Sequence, residues 1–347
     1  MMSENRKLTF MGAINEAIDQ SMKKDDSVIL IGTDVSGGAK VDHIKDDDTF
    51  GGVFGVTKGL AKKYSRDRVI DTPIAEHITL STAVGAAATG LRPIAELMFN
   101  DFIGFGLDPI LNQGAKMRYM FGGKAKIPLV VRTVHGAGAG AAAQHSQSLY
   151  NMFAAIPGVK VVVPSNPYDA KGLLNAAIED DNLVVFSEDK TLLGQKGEVP
   201  EEYYTVEIGK ANVTREGTDL TIVAIGKMVA VALDTAEQLA ESNVSVEVID
   251  LRSVSPWDKE TVLESVKKTG RLIVIDESNP QCNVAGDVAS VIGDEGFDYL
   301  DGPIKKVTAP DTPVPFAANL EEAYMPNAEK VLDIAAELID DLKKAKS

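Results

Sequence analysis

The sequence predicts an α/β protein made of two doubly wound domains. Three observations carry that expectation. The chain has 347 residues, enough for two hydrophobic cores at about 150 residues per domain. Short, continuous runs of Val, Ile and Leu recur with helical patterns between them, as expected of parallel strands buried on both faces. One charged stretch containing Gly and Pro, "DKTLLGQKGEVPEEY" (189–203), interrupts the alternation, which then resumes.

The strand candidates of the first half are "SVILIGTDV" (27–35), "RVIDTPI" (68–74), "RPIAELMF" (92–99), "IPLVVRTV" (127–134), "KVVVPS" (160–165) and "NLVVFSE" (182–188). After the interruption come "DLTIVAIG" (219–226), a helix near 228–242, "VSVEVID" (244–250), a helix from about 258, "RLIVIDE" (271–277), "IKKVTA" (305–310) and a final helix near 327–344. The domains are therefore expected at 1–190 and 206–347, with 191–205 as a linker. Residues 40–55, "KVDHIKDDDTFGGVFG", are acidic and rich in glycine but lack calcium-loop spacing, so they read as a solvated loop that includes His43. No G-x-G-x-x-G follows the first strand, where "IGTDVSGG" (31–38) stands instead, which disfavours a nicotinamide dehydrogenase of the usual kind.

Charge and cysteine content narrow the function classes. Lys and Arg total 35 against 51 Asp and Glu, a formal net charge of −16, so the electrostatic footprint of a nucleic-acid or anionic-membrane binder is missing. A single cysteine, Cys282, cannot form an internal disulfide, and "MMSENRKLTF" lacks the apolar core of a signal peptide. The expected compartment is the reducing cytoplasm. Residues 133–159 contain no Lys, Arg, Asp or Glu, but their Gly, His, Gln, Ser and Asn content argues against a membrane span.

In an open parallel sheet, ligands bind outside the carboxyl ends of the strands, which places the junctions after Ile74, Phe99 and Thr133 at the ligand edge. Glu76 follows the first of these and opens a helix rich in small residues; it either complements the helix dipole or presents a carboxyl to a ligand. Phe102, at the end of the next strand, reads on its own as a core residue. The run "TVHGAGAGAAAQHSQSLY" (133–150) strips the chain of nearly all side chains and then delivers His145, which is either a satisfied structural histidine or an imidazole that ligands approach closely. His135 begins the same loop and is placed to line a cavity.

Together these junctions are recognisable. The sequence resembles the beta subunits of the thiamine-diphosphate dehydrogenase components of 2-oxo acid and acetoin dehydrogenase complexes. The likeness covers essentially the whole chain. It runs through "DTPIAE" (71–76), "GLRPIAELMFNDF" (90–102), "NQGAKMRYMFGGK" (112–124), "AAQHSQS" (142–148), "GVKVVVPSNPYDAKGLL" (158–174) and "DLRSVSPWD" (250–258). Within the family, "GGVFGVTKGL" (51–60), "AELMFNDFIG" (95–104) and "VTAPDTPVPF" (307–316) lean toward members that cleave acetoin, with pyruvate or a branched 2-oxo acid as the alternative substrate. The resemblance implies a pyrimidine-type thiamine-diphosphate-binding domain followed by a domain like the transketolase C-terminal domain.

It also implies roles residue by residue. Glu76 takes the position that hydrogen-bonds the aminopyrimidine ring and favours the tautomer able to deprotonate the thiazolium. That role calls for an apolar setting, with which Ile74, Ala75 and Ile78 are compatible. Phe102 matches the aromatic residue stacked on the pyrimidine, and His145 the histidine facing the thiazolium. Leu129, Ala177, Asp180 and Asn182 match a potassium site described in the family as lying under the histidine loop. Two departures stand beside these matches. Where relatives carry Gly and an apolar residue after the glutamate, this chain has Ser81 and Thr82, although Gly85 and Ala86 keep the second such pair, and His77 replaces a small or apolar residue. The G-D-G and Asn-Asn pattern that holds magnesium and diphosphate is absent; in the family it belongs to the alpha subunit. The resemblance therefore implies half an active site, completed in an alpha2-beta2 heterotetramer that passes an acetyl unit to a lipoyl acyltransferase component.

Overall fold

The computed structural model describes residues 6–37 and 50–345. His43 and most of the acidic loop lie outside the described residues. The chain forms two compact units, one from Met1–His135 with Met152–Ile208, the other from Gly136–Asn151 with Gly209–Ser347. No helix of the described residues is long and apolar enough to cross a membrane.

The first unit begins with β1 (Lys7–Thr9) and α1 (Phe10–Lys24), followed by β2 (Val28–Thr33), the short α2 (Leu60–Tyr64), β3 (Val69–Thr72) and α3 (Glu76–Ala88). Next are β4 (Arg92–Phe99), a 3-10 turn at Asn100–Phe102, α4 (Ile103–Asp108), a π-helical turn at Pro109–Gly114, α5 (Met117–Met120) and β5 (Val130–His135). After the short α6 (Tyr150–Ala154), β6 (Lys160–Val162), α7 (Pro167–Glu179), β7 (Val184–Asp189) and β8 (Lys196–Glu198) complete the unit. The order β6-β7-β5-β4-β2-β3 is parallel throughout. The central strands β2, β5 and β7 are buried along nearly their whole length, which is why they read as unbroken apolar runs rather than alternating ones. Helix α1 lays Ile14, Ala17, Ile18 and Met22 onto a core shared with Leu173, Leu174, Ala177 and Ile178 of α7. Thr9 starts α1 by accepting the Gly12 N–H, and Asn166 caps α7 through the Asp169 N–H.

The stretch expected to be a linker is packed onto this unit. Strand β8 pairs antiparallel with β1, and Val206 joins the core. The fully buried Lys171 ammonium donates to Glu16 and to the backbone carbonyls of Pro200, Glu201 and Glu202. Charge, Gly and Pro in 189–203 read as a linker, whereas the backbone carbonyls of Pro200, Glu201 and Glu202 serve as the acceptors that a buried ammonium requires.

The second unit contains β9 (Asn212–Arg215), β10 (Leu220–Ala224), α8 (Met228–Glu241), β11 (Val246–Asp250), the short β12 (Ser253–Ser255) and α9 (Lys259–Thr269). It ends with β13 (Leu272–Asp276), α10 (Val284–Glu295), β14 (Lys305–Thr308), α11 (Ala318–Tyr324) and α12 (Ala328–Ala345). Its five-stranded sheet has the order β14-β13-β10-β11-β9, with only β9 antiparallel to its neighbour. Leu220, Ile222, Val246, Val248, Ile273 and Ile275 pack there against α8 and α12. Both units are thus α/β with helices around mainly parallel sheets, as the strand pattern predicts.

Candidate active site

In the first sheet the chain runs from β2 to β3 on one side and then crosses to β4 on the other. That reversal is a topological switch point, where the loops after neighbouring strands diverge and leave a crevice at their carboxyl ends. Glu76 and Phe102 stand on the two sides of it. Glu76 is the first residue of α3, whose amino terminus has no side-chain cap, so the first-turn N–H groups and the carboxylate share the ligand edge. Phe102 ends the 3-10 turn after β4. A register shift between Leu97 and Phe99 re-aims the chain there, and Phe102 meets Phe99 edge-on with ring centroids 5.7 Å apart. Helix α4 reaches α3 closely because Gly106 has no side chain: a Cβ there would lie 2.3 Å from Leu80 Cδ1 and 3.8 Å from the Glu76 carbonyl oxygen. The fold therefore brings the Glu76 and Phe102 segments together.

Among the described residues the apolar side chains expected around Glu76 are exposed: Ile74 is 82% and Ile78 57% exposed. Ser81, Thr82 and His77 also lie on exposed positions of α3, so the departures at these positions leave packing inside the unit untouched. His135 is buried at the end of β5, where its Nδ1 and the Ser187 hydroxyl share a hydrogen bond of 2.8 Å.

Beneath the ligand edge lies a buried charge triad on three adjacent strands. Arg132 on β5 donates bidentately to Glu188 on β7 at 2.6 and 2.8 Å and to Glu96 on β4 at 2.8 Å. Burial opposes the arginine's charge, yet the two glutamates hold its pKa above the ordinary value. Burial likewise raises the Glu96 carboxyl, Arg132 opposing and Glu188 reinforcing the shift. Glu96 Oε1 and Thr133 Oγ1 have no protein partner and line a cavity of about 10 Å³, room for one bridging water.

His145 belongs to the second unit, on a loop closed by the Gly136 N–H donating to the Gln147 carbonyl. The glycines are explained by the backbone: φ is positive at Gly136, Gly138 and Gly140, and again at Ala142. At the far end the buried Tyr150 hydroxyl donates to Asp276, which also accepts the Ser278 N–H and hydroxyl and the Ala285 N–H. Burial and the Asp276 charge push the Tyr150 phenol well above its usual value, so it remains a donor. Asp276, Glu277, Lys227 and Glu321 were not singled out from the sequence. An acidic pair ending a strand in "RLIVIDE" was the one visible signal.

Leu129, Ala177, Asp180 and Asn182 gather at the amino-terminal edge of β5 and β7, the edge remote from His135, because Leu129 precedes β5 while His135 ends it. Six strand residues, roughly 20 Å, separate the two edges. Cations already hold this corner: Arg92 donates to the Asp180 carbonyl, Lys160 to the Asp180 carboxylate and Arg118 to Asn182 Oδ1, while the Leu129 carbonyl accepts the Val184 N–H. No step is derived from an ion at this corner.

Comparison with known proteins places this geometry in a family. Residues 6–196 match the transketolase pyrimidine-binding domain, and residues 209–331 the transketolase C-terminal domain. The chain is 57% identical to the beta subunit of acetoin:2,6-dichlorophenolindophenol oxidoreductase of Bacillus subtilis, over 97% of this chain and 98% of that one. It is 53% identical to the beta subunit of the same name from Cupriavidus necator, over 94% and 96%. The pyruvate dehydrogenase E1 beta subunit of Bacillus subtilis matches at 41%, over 96% and 99%. Among solved structures, a split-gene transketolase described as an inactive beta4 tetramer superposes with a TM-score of 0.74 at 24% identity, covering 95% of this chain and 97% of that one.

Proposed function

Because the chain belongs to the family of thiamine-diphosphate-dependent dehydrogenase beta subunits, with a transketolase pyrimidine-binding domain followed by a transketolase C-terminal domain, we propose that it is the beta subunit of an acetoin-cleaving dehydrogenase. The observation that carries the substrate is the gap in identity: 57% and 53% to two acetoin oxidoreductase beta subunits against 41% to a pyruvate dehydrogenase beta subunit of equal coverage. Acetoin yields acetaldehyde, and its acetyl unit passes to lipoamide on an acyltransferase component. The charge-free stretch from 133 to 159 suits a neutral substrate.

The residues of the switch-point crevice fit the pyrimidine side of the cofactor: a carboxyl at an uncapped helix start, with an aromatic ring on the neighbouring segment. Thiamine diphosphate, when bound, supplies the electron sink that lets the carbon–carbon bond break. With the cofactor bound, the Glu76 carboxyl would hold a proton toward the pyrimidine ring and Phe102 would supply an aromatic surface for it. His145 takes the acetoin hydroxyl proton as the bond breaks, its imidazole acting as the general base. Magnesium and the diphosphate are held by an alpha subunit in an alpha2-beta2 assembly. That subunit also covers the exposed Ile74, just before α3, and Ile78 on α3, excluding water and creating an apolar setting for Glu76.

The test is steady-state dye reduction by the chain combined with its alpha subunit, thiamine diphosphate and magnesium. The expected result is a higher kcat/KM for acetoin than for pyruvate. A clear preference for pyruvate or a branched 2-oxo acid reverses the substrate assignment and leaves the cofactor chemistry intact.

A further inference from the structure

The loop that carries His145 has almost no side chains with which to hold its own shape. Four of its residues, Gly136, Gly138, Gly140 and Ala142, have φ of +98°, +104°, +65° and +59°, and a backbone so rich in glycine loses the most freedom when it is ordered. What orders it is a set of charged side chains from distant positions in the same unit. Glu321, 4% exposed in the first turn of α11, accepts the Gly138 N–H at 2.7 Å and the Gly140 N–H at 3.0 and 3.3 Å. Glu277 accepts the Ala137 N–H at 2.7 Å, and Lys227, paired with Glu277 at 2.8 Å, donates to the Ala137 carbonyl at 2.6 Å. Ala137 is also seated in a small apolar cluster with Ala309, Val314 and Tyr324.

We infer that Glu321 is a positioning residue for the reaction: its buried carboxylate gathers the Gly138 and Gly140 amides and thereby sets where the loop delivers His145. Successive backbone N–H groups turned toward one point form an anion-binding concavity, and here the anion is a side chain of the same chain. The chemistry requires a carboxylate, since both oxygens accept and neither donates. A glutamine of the same size would turn an NH₂ group toward a backbone N–H. The inference rests on the reading of His145 as the histidine that moves a proton in acetoin cleavage.

Three measurements on the assembled enzyme test it, with Glu321→Gln compared with wild type and with Glu322→Gln, its exposed neighbour, as control. In the Glu321→Gln assembly, hydrogen exchange at the Gly138 and Gly140 amides should quicken about tenfold or more, a factor of ten corresponding to about 1.4 kcal/mol of lost hydrogen bonding. The kcat for acetoin should fall on the order of 10²-fold, the loss that a displacement of about 1 Å causes at a reacting group. Exchange of the thiazolium proton, which depends on Glu76, should be unchanged. Glu321→Asp, which keeps the charge but sets it back by one methylene, should recover part of both the amide protection and kcat, and it serves as the test if the glutamine variant does not fold. The inference is overturned if the glutamine variant keeps wild-type kcat, whatever the amides do, or if thiazolium exchange falls together with kcat. Wild-type assembly that turns over neither acetoin nor pyruvate sinks the functional reading instead, a result distinguishable because it needs no variant.

Discussion

Arg132→Met removes the cation from the buried triad while keeping a long, unbranched side chain in its place. Arg132 is 2% exposed and makes three charge-assisted bonds, two of them a bidentate pair to Glu188, which is itself 0% exposed. Removing one partner of a buried ion pair strands the other, at a cost of about 3–5 kcal/mol. For a unit of this size that is a fall in melting temperature of roughly 6–20 °C, at about 2–4 °C per kcal/mol. The sign of the pH dependence follows from the stranded carboxyls. Glu96 already has a raised carboxyl pKa, and loss of Arg132 removes the group that opposes the rise. A carboxyl with a folded pKa above its unfolded value contributes stability below the unfolded value and loses it as pH rises through the folded one. The variant's deficit is therefore expected to be larger at pH 8 than at pH 5. Adding Glu188→Gln should recover part of it, since the amide removes one of the two stranded carboxylates and leaves only Glu96. Denaturant melts of the full chain at both pH values measure these differences. A single-variant cost below about 1 kcal/mol, where exposed pairs fall, or a deficit equal at the two pH values, would refute the reasoning.

Three further outcomes are expected. Glu76→Gln should keep the fold and lower the rate of thiazolium proton exchange in the assembly by on the order of 10²-fold or more, about 2.7 kcal/mol; wild-type exchange would remove Glu76 from cofactor activation. His145→Ala should spare assembly and impair lipoamide acetylation, whereas unaltered acetylation kinetics would take the imidazole out of the mechanism. Lys171→Met should release the segment from 199 to 206, cost about 3 kcal/mol and open a protease site there; an unchanged cleavage pattern on limited proteolysis would mean the ammonium is not what holds that segment.

The legible part of the fold is the part dictated by burial on both faces. Runs such as "SVILIGTDV" and "RLIVIDE" fall where β2 and β13 lie, because a parallel strand covered by helices on each side has no polar face to disguise it. The stretch 189–203 was harder to place, since charge and proline describe its solvent side and say nothing of the Lys171 ammonium that takes its carbonyls. Strand β1 offers only three residues of pattern and pairs with β8 across most of the unit. A short strand whose partner is so distant leaves no local periodicity to read.

The site divides along the same line between local and distant. Glu76 and Phe102 follow a strand end by four and three residues, and His145 ends the ten-residue loop that leaves β5, so a rule about strand ends points to their segments, and the resemblance gives them roles. Glu321 follows no such rule. It stands 183 residues from Gly138, on a helix of seven residues. Its burial is explained only by the loop it holds, and the loop's glycines are explained only by something that gathers their amides. Neither half carries its meaning alone. The run from Gly136 to Gly140 shows that a backbone must bend and be approached closely, but the group that makes a single bend stable comes from elsewhere in the chain. Side chains that touch a ligand leave a local signature because they are set at fixed offsets from strand ends. Those that hold the contacting segment in place are selected by three-dimensional neighbours, and their identity becomes readable once the loop and the helix have been placed in one unit.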